Sequence, residues 1–562
     1  DSLKTFDFAV ANPPFSSKAW SNGLNPAHDE FGRFEYGIPP AKNGDYAFLL
    51  HLIKSLKSKG KGAIILPHGV LFRGNKEADI RRELIRRGLI KGIIGLPANL
   101  FYGTGIPACI VVIDKENATA RKGIFMIDAS KGFMKDGAKN RLRSQDIHKI
   151  VDVFNHQREL TRFSRMVPVS EIADPANDYN LNIPRYIDSS EPEDLQDLHA
   201  HLNGGIPNRD IDDLQAYWDV FPSLRKALFK RNGTKGYSEP RIETHKIKPT
   251  ILAHDEFAAY AESVRERFQA WRDAHRPLLT GLGIDAKPKE VIHTLSEDLL
   301  DRFADVPLLS RYDVYQRLMD YWAQAMQDDV YLIAADGWTD AARPRPAIDD
   351  KDRKIKETPD LTIGRKKYKM DLVSPALIVA RHFAAEQAAI DNAQARLDEA
   401  TQMLEEFVEE NTGDEGLLED ATNDKGKATQ TGVKARLKEI GEDPEFADEQ
   451  KALEVCLDLL ETEALAKKAV KTLQDKLDEQ VLAKYPDLTE PEIKTLVVED
   501  KWFAAIEAAI EGEVQRLTQQ LTGRVKELEE RYAQPLPELK QEVEAFGEKV
   551  EGHLKKMGVA WA

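Results

Sequence analysis

Cysteine is almost absent from this chain of 562 residues: Cys109 and Cys456 are the only two, and they stand far apart. That spacing excludes a disulfide framework and a thiolate zinc site, and it suits a reducing compartment, the cytoplasm. Long apolar runs are also lacking, and none approaches the length of a membrane span. The N-terminus has no Met and no basic stretch ahead of an apolar one, so it does not read as a signal peptide. It runs from Asp1 directly into a strand-like segment, as a fragment or truncated gene model would. An excess of positive charge is missing too, since the net charge is −16. Most non-specific DNA affinity comes from neutralising phosphates, so such a chain needs a partner or a local basic surface to hold DNA. The thirteen histidines form no metal-ligand spacing. His51, His68 and His382 read as isolated structural residues, and no metal is expected.

What is present divides into three stretches. The first, 1–165, alternates short apolar runs with helical spacing. Phe6 to Ala11 is compact and apolar, as a buried parallel strand is. Residues 45–58 carry Tyr46, Leu49, Leu50, Ile53 and Leu56 at helical spacing. Residues 61–66 form a second strand ended by Pro67, 77–87 a helix stopped by Gly88, and 90–96 and 108–113 further strands. The alternation predicts a doubly wound α/β sheet. The middle, 166–375, reads as mixed and mostly helical. Trp218, Trp271, Trp322 and Trp338 there indicate a packed domain, and the charged stretch from Pro344 to Lys369 an exposed connection. The last stretch, 376–562, is long helix. Phe383, Ile390, Ala393, Leu397, Ala400, Leu404 and Phe407 follow heptad spacing, as in a coiled coil. Gly-, Thr-, Asp- and Asn-rich sequence at 411–432 breaks it. Ile506, Ile510, Val514, Leu517, Leu521, Val525, Leu528 and Tyr532 then repeat as 4-4-3, an eleven-residue period that fits a nearly straight bundle. Leu539, Val543, Phe546, Val550, Leu554 and Met557 resume a stripe. Helices so narrowly striped must pack on one another or on a partner.

The residues that carry chemistry sit just after the first strand: Asn12-Pro13-Pro14-Phe15. In open α/β sheets ligands lie outside the carboxyl ends of strands, where this loop falls. The exocyclic amine of adenine is a weak nucleophile because its lone pair is delocalised into the ring. Two acceptors aimed at its two N–H groups favour a tetrahedral nitrogen and expose the lone pair. The Asn12 side-chain carbonyl and the Pro13 backbone carbonyl have this capacity, and the two prolines fix the backbone and remove competing donors. Phe15 is suited to stack on a base taken out of a duplex. The plain alternative, that Asn-Pro-Pro is an ordinary turn, is countered by the preceding strand and the following Phe.

Phe6-Asp7-Phe8 through Phe15 resembles the motif of adenine-specific amino methyltransferases. The sequence continues like the modification subunits of type I restriction-modification systems. Gly44-Asp45-Tyr46-Ala47-Phe48, Gly62 through Phe72, Ile80-Arg81, Ile94-Gly95-Leu96-Pro97, Leu100-Phe101 and Thr104-Gly105-Ile106 stand in that family's order. Tyr179 through Ile187, and Ser310-Arg311-Tyr312-Asp313-Val314-Tyr315 with the C-terminal helices, extend the resemblance along nearly the whole chain. It implies an adenine-N6 DNA methyltransferase using S-adenosylmethionine, with Asn12, Pro13, Pro14 and Phe15 catalytic. It further implies work with DNA, a specificity subunit and a restriction subunit, the helices of 376–562 serving as a docking surface. The family's cofactor-binding Gly-rich turn and acidic residue precede the Asn-Pro-Pro loop; here only eleven residues do, so the cofactor-binding residues are not found.

Other candidates stay open. Phe101 and Tyr102 either line the pocket of a flipped base or pack on the sheet edge. Asp45 reads as a helix cap. Arg81, Arg82, Arg86, Arg87 and Lys91 either meet phosphates or form a solvated face. Two rival readings are a catalytically dead assembly subunit that only binds the specificity subunit, and a methyltransferase for another planar amine such as a glutamine side chain.

Overall fold

The computed structural model describes residues 3–190, 194–350, 355–412, 416–423, 427–441 and 443–558. Asp1 and parts of the 344–369 and 411–432 stretches lie outside the described residues. The chain divides into two compact units. The first comprises 1–263, 299–319 and 513–562; the second, 264–298 and 320–512.

The first unit is built on a six-stranded mixed sheet. Its strands are β1 (Phe6–Ala11), β2 (Leu56–Pro67), β3 (Ile90–Gly95), β4 (Ala108–Asp114), β5 (Gly123–Asp128) and β8 (Ser164–Pro168), in the order β1-β2-β4-β3-β5-β8. A small hairpin, β6 (Met134–Asp136) and β7 (Lys139–Arg141), stands apart from it. Two helices, α1 (Asp45–Lys54) and α2 (Lys76–Arg86), share a core with one sheet face through Leu49, Leu50, Ile53, Ile80 and Leu84. Helix α3 (Ser144–His156) belongs to a second core, with Ile94, Phe125, Ile127, Ile150 and Val153. β1 and β2 run parallel, as do β3 and β5, whereas β4 returns antiparallel between β2 and β3. The alternation expected from sequence stops at β3, because 96–107 is a loop and no helix carries the chain across the sheet. A strand that returns without a crossover pairs antiparallel.

β1 was expected to be buried and is instead an edge strand. Ala9 and Ala11 pack on the core, but Phe8 is 76% and Val10 84% exposed. Side chains alternate faces along a strand, so one row is covered and the other faces solvent. The C-termini of β1, β2, β3 and β5 meet on one edge of the sheet. The loops that follow them, together with the loop leading into β4, are therefore neighbours there.

In the second unit the helices Ala384–Asn411 and Ala447–Lys484 lie antiparallel. Thr401 Oγ1 meets Glu463 at 3.3 Å, while Leu404 and Phe407 pack near Leu453, Cys456 and Leu460. A buried carboxylate, Asp329, is bound by Lys501 at 2.7 Å and by the Trp502 indole N–H at 2.7 Å.

The 4-4-3 stripe is not an open surface. Val514, Leu517, Leu521, Val525, Leu528 and Tyr532 are all buried within the chain. Around them, Arg524 and Arg531 clamp Asp194, and the Tyr532 hydroxyl donates to Asp210 at 2.9 Å. Those two guanidinium groups hold the Asp194 carboxyl well below the usual carboxylate range. The open stripe is the next helix, Leu536–Lys556, where Val543, Phe546 and Val550 are more than half exposed. Substituting Leu517→Glu therefore buries an unpaired charge and should destabilise the first unit by about 3–5 kcal/mol. Phe546→Glu should change stability by no more than about 0.5 kcal/mol. Urea denaturation of both variants measures the difference.

Candidate functional site

The chain leaves β1 at Ala11 and enters Asn12-Pro13-Pro14, with Asn12 and Pro14 exposed. The bend that follows is fixed by a buried charge. Ser16 adopts a left-handed backbone conformation, φ 51°, and its N–H donates to Asp45 Oδ1 at 2.7 Å. Asp45 opens α1 and is completely buried. It is not the N-cap: Gly44 holds that position. Its second oxygen accepts from Arg73 Nη1 at 2.8 Å, and Arg73 also meets Glu77 at 3.5 Å. A charge buried with a matched donor on each oxygen is tolerated, and a hydrogen bond to a charged acceptor is worth about 1.5–3 kcal/mol.

Two glycines make this arrangement possible. A Cβ on Gly44 would lie 2.6 Å from Trp20 Cβ, and one on Gly69 would lie 2.4 Å from the Arg73 guanidinium. Gly44 N also donates to Ser17 O at 3.0 Å, a second tie between α1 and the loop. Tyr46 fastens α1 to the turn after β2, its hydroxyl donating to Val70 O at 2.7 Å.

The other wall comes from the loop between β3 and β4. Phe101 meets Phe15 edge to face, with ring centroids 5.7 Å apart and planes at 72°. Such a pair contributes about 0.5–1.5 kcal/mol beyond its burial. Tyr102, its neighbour in sequence, does not join the pair; it is 95% exposed. His68, at the end of β2, lies on this edge too. Its backbone N–H donates to Pro107 O at 3.1 Å. Burial pushes its pKa below the ordinary imidazole value, so the ring is neutral at neutral pH.

The arginine-rich helix α2 carries one buried cation, Arg81, and others at the surface. Arg81 is 2% exposed and donates to the carbonyls of Tyr179, Val70 and Arg73. Arg82 pairs with Asp79 and Asp178, Arg87 with Glu83, and Lys91 with Asp114. Arg86 Nε donates to the Tyr179 hydroxyl and its guanidinium lies over that ring. Arg81 is engaged within the fold, whereas the Arg82–Asp79 and Arg87–Glu83 pairs lie at the surface and are weak. Among the described residues no group of three or more His, Cys, Asp or Glu is placed to hold a metal. Both cysteines are buried and unbonded. No described helix is long and apolar enough to cross a membrane.

Of the residues singled out from sequence, the structure brings Phe15 and Phe101 together and leaves Tyr102 outside that pair. Sequence reasoning missed Asp45 as the anchor of the loop and Arg73 as its counter-ion. The usable signal was a lone Asp directly after a Gly, at the first turn of a helix whose core face is otherwise apolar.

Residues 1–195 match the family model described as N-6 DNA methylase. Over 205 residues the chain is 34% identical to the methylase subunit of the type I restriction enzyme MjaVII from Methanocaldococcus jannaschii; the match covers 35% of each protein. Over 210 residues it is 32% identical to the MpnII methylase subunit from Mycoplasma pneumoniae, covering 37% of each. A solved methyltransferase subunit of a type I restriction-modification system, from Streptococcus thermophilus, is 39% identical, covering 34% of this chain and 39% of that one at a TM-score of 0.31. The chain thus spans little more than a third of the length of the curated relatives it matches.

Proposed function

We propose, from the match of residues 1–195 to the N-6 DNA methylase family model, that this chain supplies the target-base side of an adenine-N6 DNA methyltransferase, the modification subunit of a type I restriction-modification complex. The observation that carries this reading is the Asn12-Pro13-Pro14-Phe15 loop at the carboxyl edge of the sheet, anchored by Asp45 and with Phe15 set against Phe101. An adenine taken out of its stack brings its N6 amine to this loop. Asn12 Oδ1 and the Pro13 carbonyl accept its two N–H bonds, the nitrogen becomes tetrahedral, and its lone pair is free to attack. The rigid loop lets those dipoles act without reorganising. Phe15 and Phe101 form walls for the base, and Tyr102 stands at the mouth.

The family implies S-adenosylmethionine as the donor. A seat for it needs backbone N–H groups that approach closely, as a Gly-rich turn after a strand provides, and an acidic group for the ribose. Among the described residues, the loops after β1, β2, β3 and β5 begin Asn12-Pro13, His68-Gly69, Leu96-Pro97 and Ala129-Ser130, and none opens on a Gly-rich turn directly after its strand. The carboxylate nearest the catalytic loop, Asp45, is committed to Ser16 and Arg73. These residues do not fit the donor by themselves and act on the adenine alone. The open edge of β1 offers a place where a further strand bearing such a seat would complete a doubly wound sheet.

This reading brings partners with it: DNA, a specificity subunit that reads the sequence, and a restriction subunit, in the cytoplasm. The division 1–165, 166–375 and 376–562 serves it as catalytic, middle and docking regions. Within the last, the exposed stripe of Leu536–Lys556 takes the docking role that the buried 4-4-3 stripe is unable to fill. The antiparallel pair Ala384–Asn411 and Ala447–Lys484, in the second unit, is read as a short coiled coil.

Two outcomes test the proposal. In the complete complex, Asn12→Ala should lower methyl transfer to adenine by about 10² or more with folding unchanged; a wild-type rate would overturn the acceptor role. Calorimetry on this chain alone should give no micromolar binding of S-adenosylmethionine, and tight stoichiometric binding would mean that its own residues form a donor seat.

A further inference from the structure

The loop between β3 and β4 presents one aromatic ring to solvent on a clamped support. Tyr102 is 95% exposed, while both arms of its loop are held. Lys139 Nζ donates to the Phe101 and Thr104 carbonyls at 2.8 and 3.0 Å, one on each side of Tyr102-Gly103. Asn140 donates from its backbone to Asn99 O at 3.0 Å and from its side chain to Ala98 O at 2.7 Å. Asn99 N donates across the loop to Gly105 O at 3.3 Å. Gly103 makes the tip turn at φ 77°. A scattered exposed tyrosine needs no explanation. This one differs in being fixed at its base and adjacent in sequence to Phe101, which meets Phe15 three residues beyond Asn12.

A second observation concerns charge. The clamping residues belong to the β6–β7 hairpin. Residues 131–143 hold Lys131, Lys135, Lys139, Arg141 and Arg143 against a single acid, Asp136, in a chain whose net charge is −16. Lys139 is spent on the loop carbonyls, Lys131 on Ser189 O and Arg143 on Asp146. Lys135 and Arg141 remain at the surface. The Arg141–Asp136 pair at 3.3 Å is 62% exposed on both sides and is therefore weak.

We propose that the Tyr102 tip and the β6–β7 hairpin form one duplex-engaging element: the Tyr102 ring enters the base stack where the target base has left it, and Lys135 and Arg141 hold the phosphates beside it. The inference rests on reading the neighbouring site as one that takes a base out of duplex DNA. Extracting a base unstacks its neighbours at a cost. An aromatic wedge on a stiff loop restores stacking on both sides of the gap without first losing loop entropy. The bases offer a stacking surface whatever their identity, so this contact holds the open state without reading sequence. Cations on the adjoining hairpin position the backbone and carry no sequence information. The hairpin is the local basic surface that an acidic chain needs in order to approach DNA.

The test titrates the full chain, at low salt, into fluorescently labelled duplexes that are either intact or contain one abasic site. The abasic duplex already has its gap, so the wild-type chain should bind it about tenfold more tightly than the intact one. Tyr102→Ala should remove that preference, and Tyr102→Phe, which keeps the ring, should retain it. The double variant Lys135→Glu/Arg141→Glu should weaken binding to both duplexes and lower the slope of log affinity against log salt by about two. The proposal is overturned if the wild-type chain shows no abasic preference, if the preference survives Tyr102→Ala, or if the salt slope is unmoved by charge reversal. No methyl transfer is measured, so failure here leaves the Asn12 reading standing. Loss of the Asn12 reading, in turn, shows in methylation and leaves these affinities as they are.

Discussion

A buried carboxylate holds the site together. Asp45 places one oxygen on the Ser16 amide and the other on the Arg73 guanidinium, with no exposure to water. Removing either donor would leave a buried charge with half its hydrogen bonds, which is costlier than the bond itself. The two contacts therefore enforce each other. The loop is pinned at Ser16, one residue beyond Phe15, where the backbone must turn through a left-handed conformation that a serine adopts only under constraint. Gly44 admits Trp20 and Gly69 admits Arg73, so sterics that look incidental in sequence are conditions for the same contact.

The sheet turns this local constraint into a site. β4 returns antiparallel between β2 and β3, so the loop that begins at Leu96 ends beside the turn after β2. Phe101 is delivered to Phe15 from a segment far away in sequence. The same loop rests on Lys139 and Asn140, which joins the aromatic wall to a basic hairpin. An acidic chain thus carries a small cationic hairpin beside that aromatic wall.

Legibility in the sequence followed the range of the interactions. Strands and helices of 61–114 were readable because apolar spacing is a local signal, whereas the helix read over 45–58 ends at Lys54 and Leu56 already opens β2; the Asn-Pro-Pro-Phe loop stood out because its residues are contiguous. The antiparallel insertion of β4 was not readable, since a loop of Pro, Asn and Gly permits either a crossover or a return. The exposure of Phe8 and Val10 was not either: an apolar strand carries no mark of whether its second face is covered. Asp45 was read as a cap because its partners, Ser16 and Arg73, stand 29 and 28 residues away. The 4-4-3 stripe announced burial correctly but not its partner, because periodicity gives the width of an apolar face and not what covers it. Arg81, Arg82, Arg86, Arg87 and Lys91 looked alike until Arg81 proved a buried donor to three carbonyls while Arg87 stayed at the surface.

The most direct measurement is amide hydrogen exchange at Ser16 in the wild-type chain and in Asp45→Asn, with the β2–β4 ladder amides as an internal reference. If the carboxylate pins the loop, Ser16 is protected in the wild type and exchanges at least about tenfold faster in the variant, the equivalent of one charged hydrogen bond, while the amides of Ile64 and Val111 keep their protection. Equal protection of Ser16 in the two proteins, with the ladder intact, would contradict the account, because the loop that carries Asn12 would then be held by something other than Asp45.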